Sequence, residues 1–237
     1  MNIDLAYYCN IGKQAVNEDA VNVLAAGGNL LALAADGVSG HGGGAQASSC
    51  VISALANRLS QSEFSEDAVN AAINEANSRV LAMQNDQVQM RSTAAVCWIT
   101  KNRAIAAHIG DTRIYQIRKG EIIYQSADHT AAQVSAMAGM IAADEIRSSP
   151  SANYLLRAIG DTEPVKADCK ILTVEPDDLF LICTHGFWKQ IPELQMLGCL
   201  WNAETMTDWL RAMRKRIESS AGDSLDNHSA IVIRVQP

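Results

Sequence analysis

The sequence predicts an α+β layered domain with antiparallel sheets and helices packed outside them, and three observations carry this. Strand-like runs are many and several follow one another directly. They come as hairpins, not in strict β-α-β alternation. Two long amphipathic segments stand together between the early and the middle strands, whereas a doubly wound parallel sheet needs a crossover after nearly every strand.

Taken in order, strands are expected at 3–9 (IDLAYYC), 29–35, 94–100 (AAVCWIT), 103–109 (RAIAAHI), 113–118 (RIYQIR), 121–125 (EIIYQ), 169–174, 178–183 and 229–235 (SAIVIRV). Lys119-Gly120 between two of these reads as a hairpin turn. Helical spacing appears at 44–60, with Val51, Ile52, Leu55 and Leu59 on one face, and at 67–84, with Val69, Ile73, Ala76, Val80 and Leu81. It recurs at 203–218, with Met206, Trp209, Leu210, Met213 and Ile217. Ser65 and Asn202 are suited to cap the last two helices. The stretch at about 130–165 is irregular and rich in Ala, Ser and Gly, and is read as a mobile flap or a short helical insert. No repeat or Pro/Ser-rich linker divides residues 1–237, which are expected to form a single domain.

With 48% hydrophobic and 19% charged residues the chain is globular, not disordered. A net charge of −7 argues against sequence-wide attraction to nucleic acid or to an anionic membrane surface. Arg211, Arg214, Lys215 and Arg216 cluster on an expected helix and read as a solvated face. Six cysteines without a CxxC pair (Cys9, Cys50, Cys97, Cys169, Cys183 and Cys199) read as reduced core residues of an intracellular protein. The start MNIDLAYYCNIGK lacks the pattern of a signal peptide, and no run approaches the roughly 18 apolar residues of a membrane span. A cytoplasmic location is expected.

Four places put carboxylates beside glycine or at the end of an apolar run: Asn17-Glu18-Asp19; Asp36-Gly37 before a glycine-rich turn; Asp111 in AAHIGDTRIY; and Asp226-Asn227 before a buried strand. An Asp-Gly at a strand end is most often a turn. Four acidic sites gathered at sheet ends would instead repel one another unless a cation sits among them, and hard cations such as Mg²⁺ or Mn²⁺ take oxygen ligands. The glycine run has neither the Gly-Lys-Ser/Thr of a P-loop nor a dinucleotide spacing.

These pieces, with VNEDA (16–20), AADGVSGHGGGAQAS (34–48), STAAV (92–96), HIGDTRIYQIRKGEI (108–122), DHT (128–130), LLRAIGD (155–161), DLFLICTHGFW (178–188) and DNHSAIVIRV (226–235), resemble the bacterial metal-dependent serine/threonine protein phosphatases of the type-2C class, in the family's order and over nearly the whole chain. The resemblance implies a four-layer sandwich of two central antiparallel β-sheets flanked by α-helices. It implies two Mn²⁺ or Mg²⁺ ions per active site, a metal-activated water as nucleophile, and a phosphorylated protein as substrate, opposing a Ser/Thr kinase. By this likeness Asp36 bridges both metals, the Gly37 carbonyl binds one and Asp226 the other. Glu18 acts through metal-bound water with Asp19 in support, Asp111 belongs to a third, weak metal site, and Asn227 orients Asp226. His41 is a candidate general acid, beside the alternative of a loop-capping residue. No chemistry is assigned to His108, His129 or His228, and the chain is expected to act as a monomer.

The chain departs from the family pattern twice. Thr184-His185-Gly186 stands where the family has Ser-Asp-Gly, so His185 occupies the place of a metal-binding aspartate. Imidazole suits Zn²⁺, Fe²⁺ or Mn²⁺ better than Mg²⁺, and its binding is lost as pH falls through about 6.5. The alternative is that His185 hydrogen-bonds in place and one metal is lost. Before Asn17, Lys13 and Gln14 stand near the position of a phosphate-binding arginine, without its bidentate fork. An active protein phosphatase is therefore weighed against a weakly active or inactive phosphatase-like module that binds a phosphoprotein or kinase, and more remotely against a hydrolase of small phosphate esters.

Overall fold

The computed structural model describes residues 2–26, 28–38, 42–220, 222 and 224–236. Ten strands among them make two five-stranded antiparallel sheets. The first runs β1 (Asn2–Asn10), β10 (His228–Gln236), β9 (Leu179–Cys183), β6 (Arg113–Arg118) and β7 (Glu121–Gln125). The second runs β2 (Asp19–Ala26), β3 (Asn29–Asp36), β4 (Ala94–Ile99), β5 (Arg103–Ile109) and β8 (Asp168–Thr173).

Strand alternation builds the layers. On β3, Leu31, Leu33 and Ala35 pack against α1 (Gly44–Leu59) and α2 (Glu66–Met83), while Leu30, Ala32 and Ala34 face the other sheet. On β9, Phe180 and Ile182 face inward between the sheets, and Leu179, Leu181 and Cys183 meet the opposite helical layer. Both faces of these strands are buried, which is why they read as unbroken apolar runs.

The helical layer over the first sheet holds α5 (Glu193–Leu200) and α6 (Met206–Ser220), with α4 (His185–Trp188) as a single turn after β9. The expected α+β sandwich is thus observed. The Lys119-Gly120 turn is observed too, both residues having positive φ, 52° and 82°. Within 130–165 lie α3 (Ala131–Met137) and a 3-10 helix at Ala143–Ser148.

Several details differ from expectation. β2, α4 and α5 were not anticipated. Ser65 caps α2, accepting from Ala68 N at 3.1 Å, but α6 starts later than expected and Thr205 caps it instead of Asn202, accepting from Asp208 N at 3.1 Å. Cys9 is exposed, so not all the cysteines are core residues.

Candidate active site at one end of the sandwich

The strands deliver the acidic residues to one end. Asp19 begins β2 and pairs in register with Asp36, the last residue of β3. Asp111 lies between β5 and β6, His185 follows β9, and Asp226 precedes β10. Asp36, Gly37, Asp111, His185, Asp226 and Asn227 line one open cleft of about 200 Å³, together with Val38, Thr93, Asn153 and Leu155.

Each acidic residue is held by its neighbours. Asp36 N donates to Thr93 Oγ1 at 2.9 Å, and that hydroxyl pairs with Thr112 Oγ1 at 2.6 Å. Buried Asp19 accepts from Thr184 Oγ1 at 2.8 Å. The Asn227 side chain ties the loops together: its Oδ1 accepts from Glu18 N at 2.7 Å, and its Nδ2 donates to Ile11 O at 2.8 Å and Val16 O at 3.1 Å. Its backbone N donates to Asp226 Oδ1 at 2.9 Å. Asn227 thus touches Asp226 through its main chain, while its amide fixes the loop that carries Glu18.

Two glycines permit this crowding. A Cβ on Gly44 would stand 2.3 Å from Glu18 Oε1, and one on Gly186 would stand 2.0 Å from Asn227 O and 3.1 Å from Asp226 Cβ.

The His185 ring is not free. Its Nδ1 lies 2.7 Å from Asp111 Oδ2, and its backbone N donates to Asp36 Oδ2 at 3.3 Å. The ring and that of Trp188 are steeply inclined, at 72°, with centroids 4.8 Å apart, and Trp188 Nε1 donates to Asp111 O at 2.8 Å. Among the described residues His185 Nε2 is buried without a hydrogen-bond partner.

Charge at the cleft is unbalanced. Among the described residues no Lys or Arg pairs with Asp19, Asp36, Asp111 or Asp226. Burial, then the charges of Asp19, Asp111 and Asp226, push the Asp36 carboxyl well above its ordinary range. Burial above all pushes Asp19 up to about 7, with Asp226 adding to it and Thr184 opposing. A cation would relieve both strains. Among the described residues no three His, Cys, Asp or Glu side chains stand close enough to hold an ion alone. The oxygen donors that line the cleft, on Asp36, Gly37, Asp111 and Asp226, suit hard cations that keep several waters and also take a main-chain carbonyl. On this chemistry, and on the unpartnered Asp19 Oδ1 and His185 Nε2, the residues fit divalent metal.

Not every anticipated residue reaches the cleft. Lys13 Nζ donates to Gly222 O at 2.6 Å and Gln14 Nε2 to Leu225 O at 3.5 Å, so both turn toward the loop before β10 and neither lines the cleft. His41 lies outside the described residues. His108 and His129 stack, with centroids 4.5 Å apart, and His228 Nδ1 meets Tyr8 OH at 2.8 Å, in keeping with structural roles.

Sequence reasoning missed the support behind the site. Arg113 makes two bonds to buried Asp128, at 2.9 and 2.7 Å, and lies 3.6 Å over the Trp188 ring. It also missed Lys189, whose Nζ donates to cleft-lining Asn153 at 2.8 Å and whose backbone N bonds His185 O one turn earlier. The signal for Arg113–Asp128 was present in the GDTR and DHT pieces, quoted without a role.

A sandwich of two antiparallel sheets with an acidic, cation-demanding cleft at one end is suited to metal-dependent chemistry. The chain belongs to the protein phosphatase 2C family, whose model matches residues 8–227. It is 29% identical over 196 residues to a putative protein phosphatase 2C-type of Streptococcus pyogenes, spanning 79% of this chain and 80% of that protein. It is 31% identical over 218 residues to the serine/threonine protein phosphatase PstP of Mycobacterium tuberculosis, which covers 90% of this chain but 41% of PstP. The chain therefore spans less than half the length of that relative. A solved structure of the PstP catalytic domain in complex with two manganese ions superposes with a TM-score of 0.83 at 25% identity, covering 100% of both chains.

Proposed function

We propose that the chain hydrolyses phosphoserine and phosphothreonine on protein substrates, opposing a Ser/Thr kinase, with two Mn²⁺ or Mg²⁺ ions held in the Asp36 cleft. The observation that carries this reading is Asp36 itself, surrounded by Asp19, Asp111 and Asp226 with no Lys or Arg among the described residues paired to them. Divalent cations bound there would lower the pKa of a water and offset charge on phosphoryl oxygens.

The protein's own groups have separable tasks. Asp36, the Gly37 carbonyl and Asp226 offer oxygen to the cations, and Thr93 fixes the end of β3 so that Asp36 is presented in one position. Asn227 holds the Glu18 loop and the Asp226 turn in register. Glu18 contributes from the rim through water. His41 is the candidate general acid for the leaving oxygen. Lys13 and Gln14 serve substrate phosphate only after leaving their carbonyl partners on the 222–225 loop. On this reading residues 1–237 form a single domain that acts in the cytoplasm as a monomer. No described helix is long and apolar enough to cross a membrane.

A second reading, a phosphatase-like module that binds a phosphoprotein without turning it over, is favoured by His185 at a metal-binding aspartate position. Phosphate release from a phosphothreonine peptide separates the two. Turnover with Mn²⁺, abolished by chelator, supports the first reading; silence in the wild type with activity gained in His185→Asp supports the second.

A further inference from the structure

His185 and Asp111 were read from the sequence as separate contributors to metal binding. The structure joins them through the 2.7 Å contact between Nδ1 and Oδ2. An ionised carboxylate only accepts hydrogen bonds, so in the neutral ring Nδ1 carries the proton and Nε2 carries the lone pair. That lone pair is buried, has no partner among the described residues, and belongs to a residue lining the same cleft as Asp36 and Asp226. Leaving a buried acceptor unmet is unfavourable, so the site calls for a proton donor or a cation at Nε2.

The ring is also locked. Trp188 packs against the imidazole at an interplanar angle of 72°, bonds the Asp111 main chain, and is covered in turn by the Arg113 guanidinium 3.6 Å from its centroid. An imidazole whose far nitrogen donates to a carboxylate, with ring orientation fixed, has the arrangement that metal-binding histidines adopt.

We propose that Asp111 and His185 act as one unit, in which Asp111 orients the ring and His185 Nε2 is a nitrogen ligand to a metal in the cleft. This rests on the metal-dependent reading above. It assigns Asp111 as a positioning residue, so its carboxylate oxygen Oδ2 is engaged by the ring and not given to a third ion. A mixed nitrogen and oxygen donor set favours Mn²⁺, Fe²⁺ or Zn²⁺ over Mg²⁺.

The test is electron spin-echo spectroscopy on the full chain loaded with Mn²⁺, which detects ¹⁴N coupled to the ion, together with Mn²⁺ and Mg²⁺ binding isotherms. Wild type shows nitrogen modulation. His185→Asp loses it while still binding Mn²⁺, and its relative preference moves toward Mg²⁺ by about tenfold. His108→Gln, whose ring meets Ala127 O and does not line the cleft, keeps it. Asp111→Ala weakens Mn²⁺ binding by roughly 10–100-fold, the usual cost of removing the group that orients a ligand. Bound Mn²⁺ without nitrogen modulation in wild type, or modulation that survives His185→Asp, overturns the pairing proposal and leaves the phosphatase reading standing. Failure to bind Mn²⁺ at all overturns both.

Discussion

Removing Asp128 should unfold the support beneath the site before it touches the cleft. The Asp128 side chain is 1% exposed and that of Arg113 4% exposed, joined by two short bonds. In Asp128→Ala, Arg113 keeps Glu193 at 3.0 Å and Tyr115 OH at 3.1 Å, but Glu193 is partly solvated and shared with Arg147. Breaking a buried pair by deleting one partner costs about 3–5 kcal/mol, because a charge stays buried without its counterion. For a chain of this size about 2–4 °C is lost per kcal/mol, so Tm should fall by roughly 6–20 °C. Burial outweighs Arg113 in setting the Asp128 carboxyl, which lies above its ordinary range, so the pair is not a strong net source of stability. Replacing both residues, as Arg113→Met with Asp128→Leu, should therefore recover most of the loss; Glu193 keeps Arg147 at 2.8 Å. Thermal unfolding followed by circular dichroism reads all three proteins. A loss under about 1 kcal/mol in Asp128→Ala, or a double variant worse than the single, would refute the reasoning.

Other consequences follow from single contacts. Gly186→Ala sets a Cβ 2.0 Å from Asn227 O, so the backbone must part and Asp226 must move; about 1–3 kcal/mol of stability and at least roughly tenfold of turnover should be lost, read by thermal melts and phosphate release. His129 Nδ1 accepts from Gly110 N at 3.1 Å and burial lowers its pKa to about 4, so its neutral form belongs to the fold. Its contribution is present above the unfolded value near 6.5 and is lost as pH falls toward 4; the urea midpoint difference between wild type and His129→Gln should shrink over that range, and a constant difference would refute it. Lys189→Ala, next to the cleft through Asn153, should raise KM for a phosphopeptide several-fold with little change in kcat, the pattern of lost ground-state binding.

Much of this architecture was visible in the residues because most strands bury both faces and stand out as apolar runs. β2 did not: its residues are mostly half-buried, Asn22 interrupts it, and its first residue belongs to the NED piece. α5 is eight residues long with Gly198 inside, and α4 is one turn, too short for periodicity to register. Asp36, Asp111, His185 and Asp226 were legible because strand ends and adjoining glycines reveal where a chain can approach a site. That Lys13 and Gln14 stand outside the cleft lining was not legible, because sequence proximity to Glu18 says nothing about side-chain direction. Gly12, at φ 61°, turns the chain against Asp226 O and sends Lys13 toward Gly222. The His185–Asp111 bond joins residues 74 positions apart and had no local signal.

The most direct test of the central claim is a paired titration of bound Mn²⁺ and of phosphate release from a phosphothreonine peptide, on wild type and Asp36→Asn. The account predicts about two ions per wild-type chain, activity that rises with their occupancy and vanishes with chelator, and loss of both binding and turnover in Asp36→Asn. Turnover that persists in chelator, or an Asp36→Asn protein that binds Mn²⁺ and hydrolyses the peptide like wild type, would contradict it.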